Sequence, residues 1–257
     1  MRNRLVLLTG ASIVLLSAAC SKPEPEAVPE AQTAEIEAPA AEAPQVPDAA
    51  EIGGDPTVLD PDHYTTEFEN DAVRILRIKY GAGEDSVMHS HPESVAVFLT
   101  DIDAQMTLAD GSTQKVSAEA GDAVYGPGGA HLPRNTGDSG WEVVEVELKP
   151  RGLVAGEPGG PDATAVDADH YTTEFENDSV RVVRIKYGPG EESVMHYHPD
   201  SVAVFLTDHL VEMTLADESK EEIRAAAGDA IFTPAGQHLP KNVADSAWEL
   251  VLIELKQ

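Results

Sequence analysis

The stretch VMHSHPESVAVFLTD, Val87 to Asp101, returns as VMHYHPDSVAVFLTD, Val194 to Asp208. The match runs without a gap from Asp62 to Lys149 against Asp169 to Lys256, and about two thirds of the paired positions are identical. His89 pairs with His196, His131 with His238 and Trp141 with Trp248. A repeat this long is a tandem duplication of one domain, not a short-period solenoid. The chain must therefore adopt a fold that closes within fewer than about 100 residues and is built twice. The stretch PRGLVAGEPGGPDATA, Pro150 to Ala165, joins the copies, and its Gly and Pro mark a linker.

Within a copy, strand signals dominate. VRILRIKY, Val73 to Tyr80, mixes Arg and Lys with β-branched residues. SVAVFLT, Ser94 to Thr100, is almost continuously apolar, as a strand buried on both faces would be. Asp110-Gly111 lies between two strand-like runs and predicts a hairpin. WEVVEVELK, Trp141 to Lys149, places Val144, Val146 and Leu148 on one face. No long helical period appears. Many short strands at regular spacing predict an antiparallel sandwich or barrel, and two copies should pack as a pseudo-symmetric pair.

Eight of the nine histidines pair between copies; only His209 has no counterpart. On a strand, residues i and i+2 share a face, so His89 and His91 point the same way, as do His196 and His198. His131 and His238 lie on a later segment. Met88, Met195, Ser90 and Tyr197 alternate away from the histidines. His63 and His170 have no histidine near them in sequence and read as structural. There is no phosphate-cradling loop, cysteine nucleophile or serine elbow.

At these motifs the chain resembles the cupin superfamily. Gly83, then EDSVM, leads to His89 and His91; Gly190, then EESVM, leads to His196 and His198. Gly121, Pro127, Gly129, His131 and Asn135 follow the second cupin motif, as do Gly228, Pro234, Gly236, His238 and Asn242. One residue separates Gly from His here, where two are usual. The resemblance implies an all-β chain of two tandem cupin-type jelly-roll β-barrels packed as a pseudo-dimer. It implies a metal in each barrel, held by His89, His91 and His131 in one and by His196, His198 and His238 in the other; three neutral imidazoles suit a divalent ion, Fe, Zn, Ni, Mn or Cu. Asn135 and Asn242 are expected to fix loops, and Tyr125 and Phe232 to line the pocket.

The family's glutamate should fall at Val95 or Ala96, and at Val202 or Ala203; both copies lack it. A site without that carboxylate keeps the ion's full charge and favours an anionic or chelating ligand. The lack also argues against the oxalate-cleaving bicupins, which depend on the glutamate. Glu93 and Asp200 retain an acid two residues past the histidine pair, but Pro92 and Pro199 disturb the strand that would aim them inward.

The N-terminus carries a second resemblance. Arg2 and Arg4 precede an apolar run, Leu5 to Leu16, of signal-peptide length. Ser17-Ala18-Ala19 then leads to Cys20, the chain's one cysteine. This resembles a bacterial lipoprotein lipobox, although Ser17 stands where leucine is commoner. An ordinary signal peptide with an incidental Cys20 is the alternative. The resemblance implies acylation of Cys20, a membrane anchor, and, with Ser21 next, a place in the bacterial cell envelope on the periplasm-facing outer membrane. The segment that follows is built from Pro, Ala and Glu, has little to bury, and reads as a disordered tether. The expected organisation is 1–19 signal peptide, 20–57 tether, 58–150 first cupin domain, 151–164 linker and 165–257 second cupin domain.

The formal net charge of −29 repels phosphate backbones and argues against a nucleic-acid partner. The expected partner is a small molecule. Three functions stay open at this point: a metal- and ligand-binding lipoprotein, an iron-dependent cupin dioxygenase acting on a small organic substrate, and a metal-free cupin scaffold. Whether the chain is an enzyme is not decided by its sequence.

Overall fold

Alternation of side chains along a strand lets one sheet serve two cores, and this chain uses that property twice. A computed structural model describes residues 53–150 and 159–256. The expected signal peptide, Cys20, most of the expected tether and residues 151–158 of the expected linker lie outside the described residues.

Each copy begins with one short helical turn, α1 (Pro56–Leu59) and α2 (Ala163–Val166). Asp55 and Asp162 cap these turns, their side chains accepting from the backbone N–H of Thr57 and Thr164 at 2.9 Å. The chain is thus already part of the first barrel at Gly54, which bridges to His89, and part of the second at Asp162, which bridges to Tyr197.

Copy one continues as β1 (Tyr64–Glu69), β2 (Val73–Tyr80), β3 (His89–His91), β4 (Ser94–Phe98), β5 (Ile102–Leu108), β6 (Thr113–Ala118), β7 (Ala123–Gly126), β8 (Gly129–Asn135) and β9 (Trp141–Leu148). Copy two repeats them as β10 (Tyr171–Glu176), β11 (Val180–Tyr187), β12 (His196–His198), β13 (Ser201–Phe205), β14 (His209–Leu215), β15 (Lys220–Ala225), β16 (Ala230–Thr233), β17 (Gly236–Asn242) and β18 (Trp248–Leu255). Every strand pair is antiparallel. Each copy has a five-stranded sheet, β1-β2-β9-β4-β7 or β10-β11-β18-β13-β16, and a four-stranded sheet, β3-β8-β5-β6 or β12-β17-β14-β15. The expected hairpin forms at Asp110-Gly111, where Gly111 takes φ +82°, a backbone conformation that favours glycine.

The five-stranded sheets of the two copies pack against each other. Val73, Ile75, Val95, Val97, Val144 and Val146 meet Val180, Val182, Val202, Val204, Val251 and Ile253 in one buried cluster. Each such side chain contributes about 1.5–3 kcal/mol by leaving water. The opposite faces of the same sheets look into the barrels. There they meet the four-stranded sheets around Leu76, Phe98 and Trp141 in one barrel and Val183, Phe205 and Trp248 in the other. Two arginines tie the seam reciprocally: Arg77 Nη2 donates to Gly228 O at 2.6 Å, and Arg184 Nη2 to Gly121 O at 2.7 Å. The two barrels form one pseudo-symmetric pair.

Tyr125 and Phe232 correct an expectation. Both pack against the shared core between the barrels, and Phe232 stacks on Phe68 of the other copy at 5.7 Å. On β16 the residues on either side of Phe232, Ile231 and Thr233, line the barrel cavity instead.

Candidate metal centre

Strand register brings the three histidines of each copy together. His89 on β3 lies directly opposite His131 on β8, and His91 follows two residues along on the same face. In copy two, His196 lies opposite His238, with His198 alongside. The imidazoles of each set face one another, with ring centroids 4.8–5.3 Å apart in copy one. One nitrogen from each of the three falls within 4.8 Å of the others, in both copies.

The hydrogen bonds behind the rings decide which nitrogen faces inward. His89 Nδ1 and His196 Nδ1 lie 2.8 Å from the carbonyl oxygens of Val87 and Val194. A carbonyl only accepts, so Nδ1 carries the proton and Nε2 keeps its lone pair. His91 Nδ1 is 2.8 Å from Glu147 Oε1, and His198 Nδ1 is 2.6 Å from Glu254 Oε1. His89 Nε2 and His91 Nε2 are buried without any hydrogen-bond partner among the described residues. A buried unpartnered lone pair is costly, and a divalent cation relieves two of them at once. The donor set therefore fits a metal such as Fe, Zn, Ni, Mn or Cu.

Glu147 and Glu254 were not singled out by the sequence, yet each anchors a site. Glu147 is 2% exposed, and it divides its oxygens between His91 and Arg74, whose Nε donates at 2.6 Å. Arg74 in turn reaches Asp55. Copy two repeats the relay through Asp162, Arg181, Glu254 and His198. Burial alone would raise the Glu147 carboxyl; the hydrogen bonds from His91 and Arg74 outweigh it and hold its pKa below the usual value. A carboxylate behind a ligating histidine fixes its tautomer and strengthens it as a donor.

Burial, with the nearby charge of His91, pulls His89 down to about 4 and His131 to about 3. Burial, with the nearby charge of His198, pulls His196 to about 4 and His238 to about 3. These four rings are neutral, as ligands must be, well below pH 7.

The carboxyl group missing from the cupin motif has a near substitute in copy one only. Glu145 on β9 pairs across the sheet with Ala96, one of the two positions where the motif places its glutamate. It accepts from Ser94 Oγ at 2.7 Å and lies 3.5 Å from His91 Nδ1, behind the ring. Copy two has Leu252 there, opposite Ala203.

Tyrosines from the repeated DHY segment complete the walls. Tyr64 packs edge-on against His89 at 4.8 Å, and its hydroxyl is 3.0 Å from that of Tyr80. Tyr171 donates to His196 Nε2 at 3.0 Å and is met by the Tyr187 hydroxyl at 3.1 Å. The ligating side of copy two therefore holds a proton donor. His63 and His170 stay outside, bonded to Asp60 and Asp167 and stacked on Tyr80 and Tyr187.

The remaining expected residues take supporting places. Asn135 Nδ2 donates to Gly81 O and Ser139 O, and its Oδ1 accepts from Gly137 N. Asn242 does the same with Gly188, Ser246 and Ala244. Both fix loops. Glu93 and Asp200 do not join the triads: Glu93 accepts from Ser179 of the other barrel, and Asp200 from Ala235 N.

Barrel two encloses a cavity of about 270 Å³ beside its triad, bounded by Phe205, Val211, Ile223, Leu250 and Leu252. His209 and Trp248 line it from the two facing sheets, on β14 and β18.

No family model matches this chain, and no curated protein does. Solved structures do. One oxalate decarboxylase structure superposes with a TM-score of 0.53 at 14% identity, covering 75% of this chain and 72% of that one. Oxalate decarboxylase from Bacillus subtilis at pH 4.6 gives 0.51 at 14%, over 72% and 68%. A Bacillus subtilis oxalate decarboxylase structure described for its Mn(II) centres gives 0.51 at 13%, over 76% of each chain. These likenesses show that the chain has the two-barrel cupin fold.

Proposed function

We propose that this chain is a two-site metal-binding bicupin that holds a small anionic or chelating ligand against each metal, tethered to the bacterial cell envelope through an acylated Cys20. One observation carries the metal reading: three inward imidazoles per barrel, backed by carbonyl and carboxylate acceptors, with Nε2 of His89 and His91 left unpartnered in barrel one and Nε2 of His196 met by the Tyr171 hydroxyl in barrel two. A divalent ion there supplies positive charge and open positions for an anionic oxygen. This chain's own residues do the rest. Glu147 and Glu254 orient His91 and His198, the barrel walls exclude water, and Tyr171 offers a proton beside the ligating face. The similar structures support the ligand class, since oxalate is itself a small chelating dianion and one of those proteins carries Mn(II).

The test is metal content. Residues 21–257, purified without a histidine tag or chelator, should carry two equivalents of one divalent metal per chain. His131→Ala and His238→Ala should each lower this to one. No metal after reconstitution with each of the five candidates would overturn the proposal and leave a scaffold. Iron together with oxygen consumption would move the reading to an oxygenase.

A further inference from the structure

The two barrels differ most where the repeat breaks. His209, at the start of β14, has Ile102 as its counterpart at the start of β5. Its ring is 7% exposed, packs on Phe205 at 4.9 Å and Trp248 at 4.2 Å, and has no hydrogen-bond partner among the described residues for its buried Nδ1. Trp248 Nε1 beside it is also unpartnered, as is Trp141 Nε1 at the matching place in barrel one, so the imidazole is what sets the two barrels apart. His209 and Trp248 both line the barrel-two cavity. Isoleucine at this place makes a satisfactory barrel in copy one, so the fold does not require an imidazole. Burial draws the His209 pKa down to about 4, so the ring is neutral and can donate one hydrogen bond and accept another.

The placement along β14 gives the cavity two ends. Leu215, at the other end of the strand, pairs with His238 of the triad. His209 is six residues away on the same face, roughly 20 Å along the strand at the usual rise. Between them the wall is Val211 and Met213, with Leu250, Leu252 and Phe205 across from them. The cavity is thus polar at the triad, mostly apolar through its middle, where Glu221 opposite Met213 adds one carboxyl group, and polar again at His209. At about 270 Å³ it lies just below the ~300 Å³ of common ligand sites, so its occupant is small.

We infer that barrel two is a binding site for a small amphiphilic acid. Its carboxylate meets the metal-bearing triad, its aliphatic body fills the middle, and a hydroxyl or carbonyl at its far end bonds to His209 and Trp248. Barrel one does not take this ligand, because Ile102 replaces the imidazole and leaves Trp141 alone at that end, and the Glu145 carboxyl group stands where Leu252 gives an apolar wall. The inference rests on the metal reading for the acid's head group, but not for its tail.

Each barrel holds one of the chain's two tryptophans, so each can be read separately. In a Trp141→Phe chain of residues 21–257 loaded with zinc, Trp248 emission reports barrel two. The probes are dodecanoate and 12-hydroxydodecanoate, whose extended chains are long enough to reach from the triad to His209, with bound zinc measured in the same samples. The hydroxy acid should bind about tenfold more tightly than dodecanoate, the scale of one buried hydrogen bond. His209→Ile should abolish that preference while keeping the dodecanoate affinity. His209→Gln, which still donates and accepts, should retain part of it and gives an independent test. A reciprocal Trp248→Phe chain, read through Trp141, should be silent to both probes. Equal affinities would overturn the inference and leave a cavity that merely holds water. So would silence from Trp248 with zinc retained, which leaves the metal reading intact. Discrimination without retained zinc would overturn the metal reading and support the tail contact.

Discussion

Glu147 and Glu254 each serve two masters, a histidine on one oxygen and an arginine on the other. Replacing either by glutamine keeps the shape and removes the charge that orients the ring. Glu147→Gln should weaken metal binding at barrel one by about 10–100-fold, and Glu254→Gln should do the same at barrel two; competitive metal titration checks both. His209 makes a separate pH prediction. Its folded pKa, about 4, lies below the unfolded value near 6.5. Above pH 6.5 both states leave it neutral. As pH falls toward 4 the unfolded chain takes up a proton that the folded chain refuses, so stability is lost across that window. His209→Ile should lose less on acidification, by on the order of 3 kcal/mol at pH 4, measured as unfolding free energy against pH. The triads were legible in the sequence because two motifs fix their spacing twice over. Glu147 was not, because an acid alternating with valines reads as a solvent-facing residue. Nothing local reveals that Arg74, distant in sequence, lies across from it.

At the scale of elements, the loop entering β8 differs between copies: GPGG against TPAG. Gly128 takes φ +85°, and a Cβ there would stand 2.9 Å from the backbone carbon of Pro92. Pro92 follows His91, so relief of that clash moves a ligand. Gly128→Ala should cost about 1–3 kcal/mol of stability and lower metal affinity at barrel one. Ala235→Gly, its mirror in copy two, should change thermal unfolding little. The strands themselves were readable. SVAVF is continuously apolar because β4 faces the shared core with Val95 and Val97 and the barrel with Ala96 and Phe98. The same two-sidedness hid the direction of Tyr125. A pattern that is apolar on both faces does not say which face is the barrel.

For the whole molecule, the seam between the barrels is as much a core as either interior. A single copy, residues 53–150, would leave Val73, Ile75, Val95, Val97, Val144 and Val146 uncovered. It should exist in solution as a dimer or an aggregate and not as a folded monomer, as light scattering coupled to gel filtration would show. The repeat made a paired architecture legible, since halves of like sequence bury like faces. It could not say which faces, because sequence identity carries no register between copies. That seam has a further consequence. In an assembly of identical subunits every mutation is inherited in both places at once. In a fused pair each half mutates alone, yet neither can decay, because its partner's fold depends on it. A copy whose chemistry is spare is thus kept as structural ballast, and while it is kept it is free to drift toward a new ligand. His209 in one half and Glu145 in the other are the kind of change such an arrangement lets accumulate.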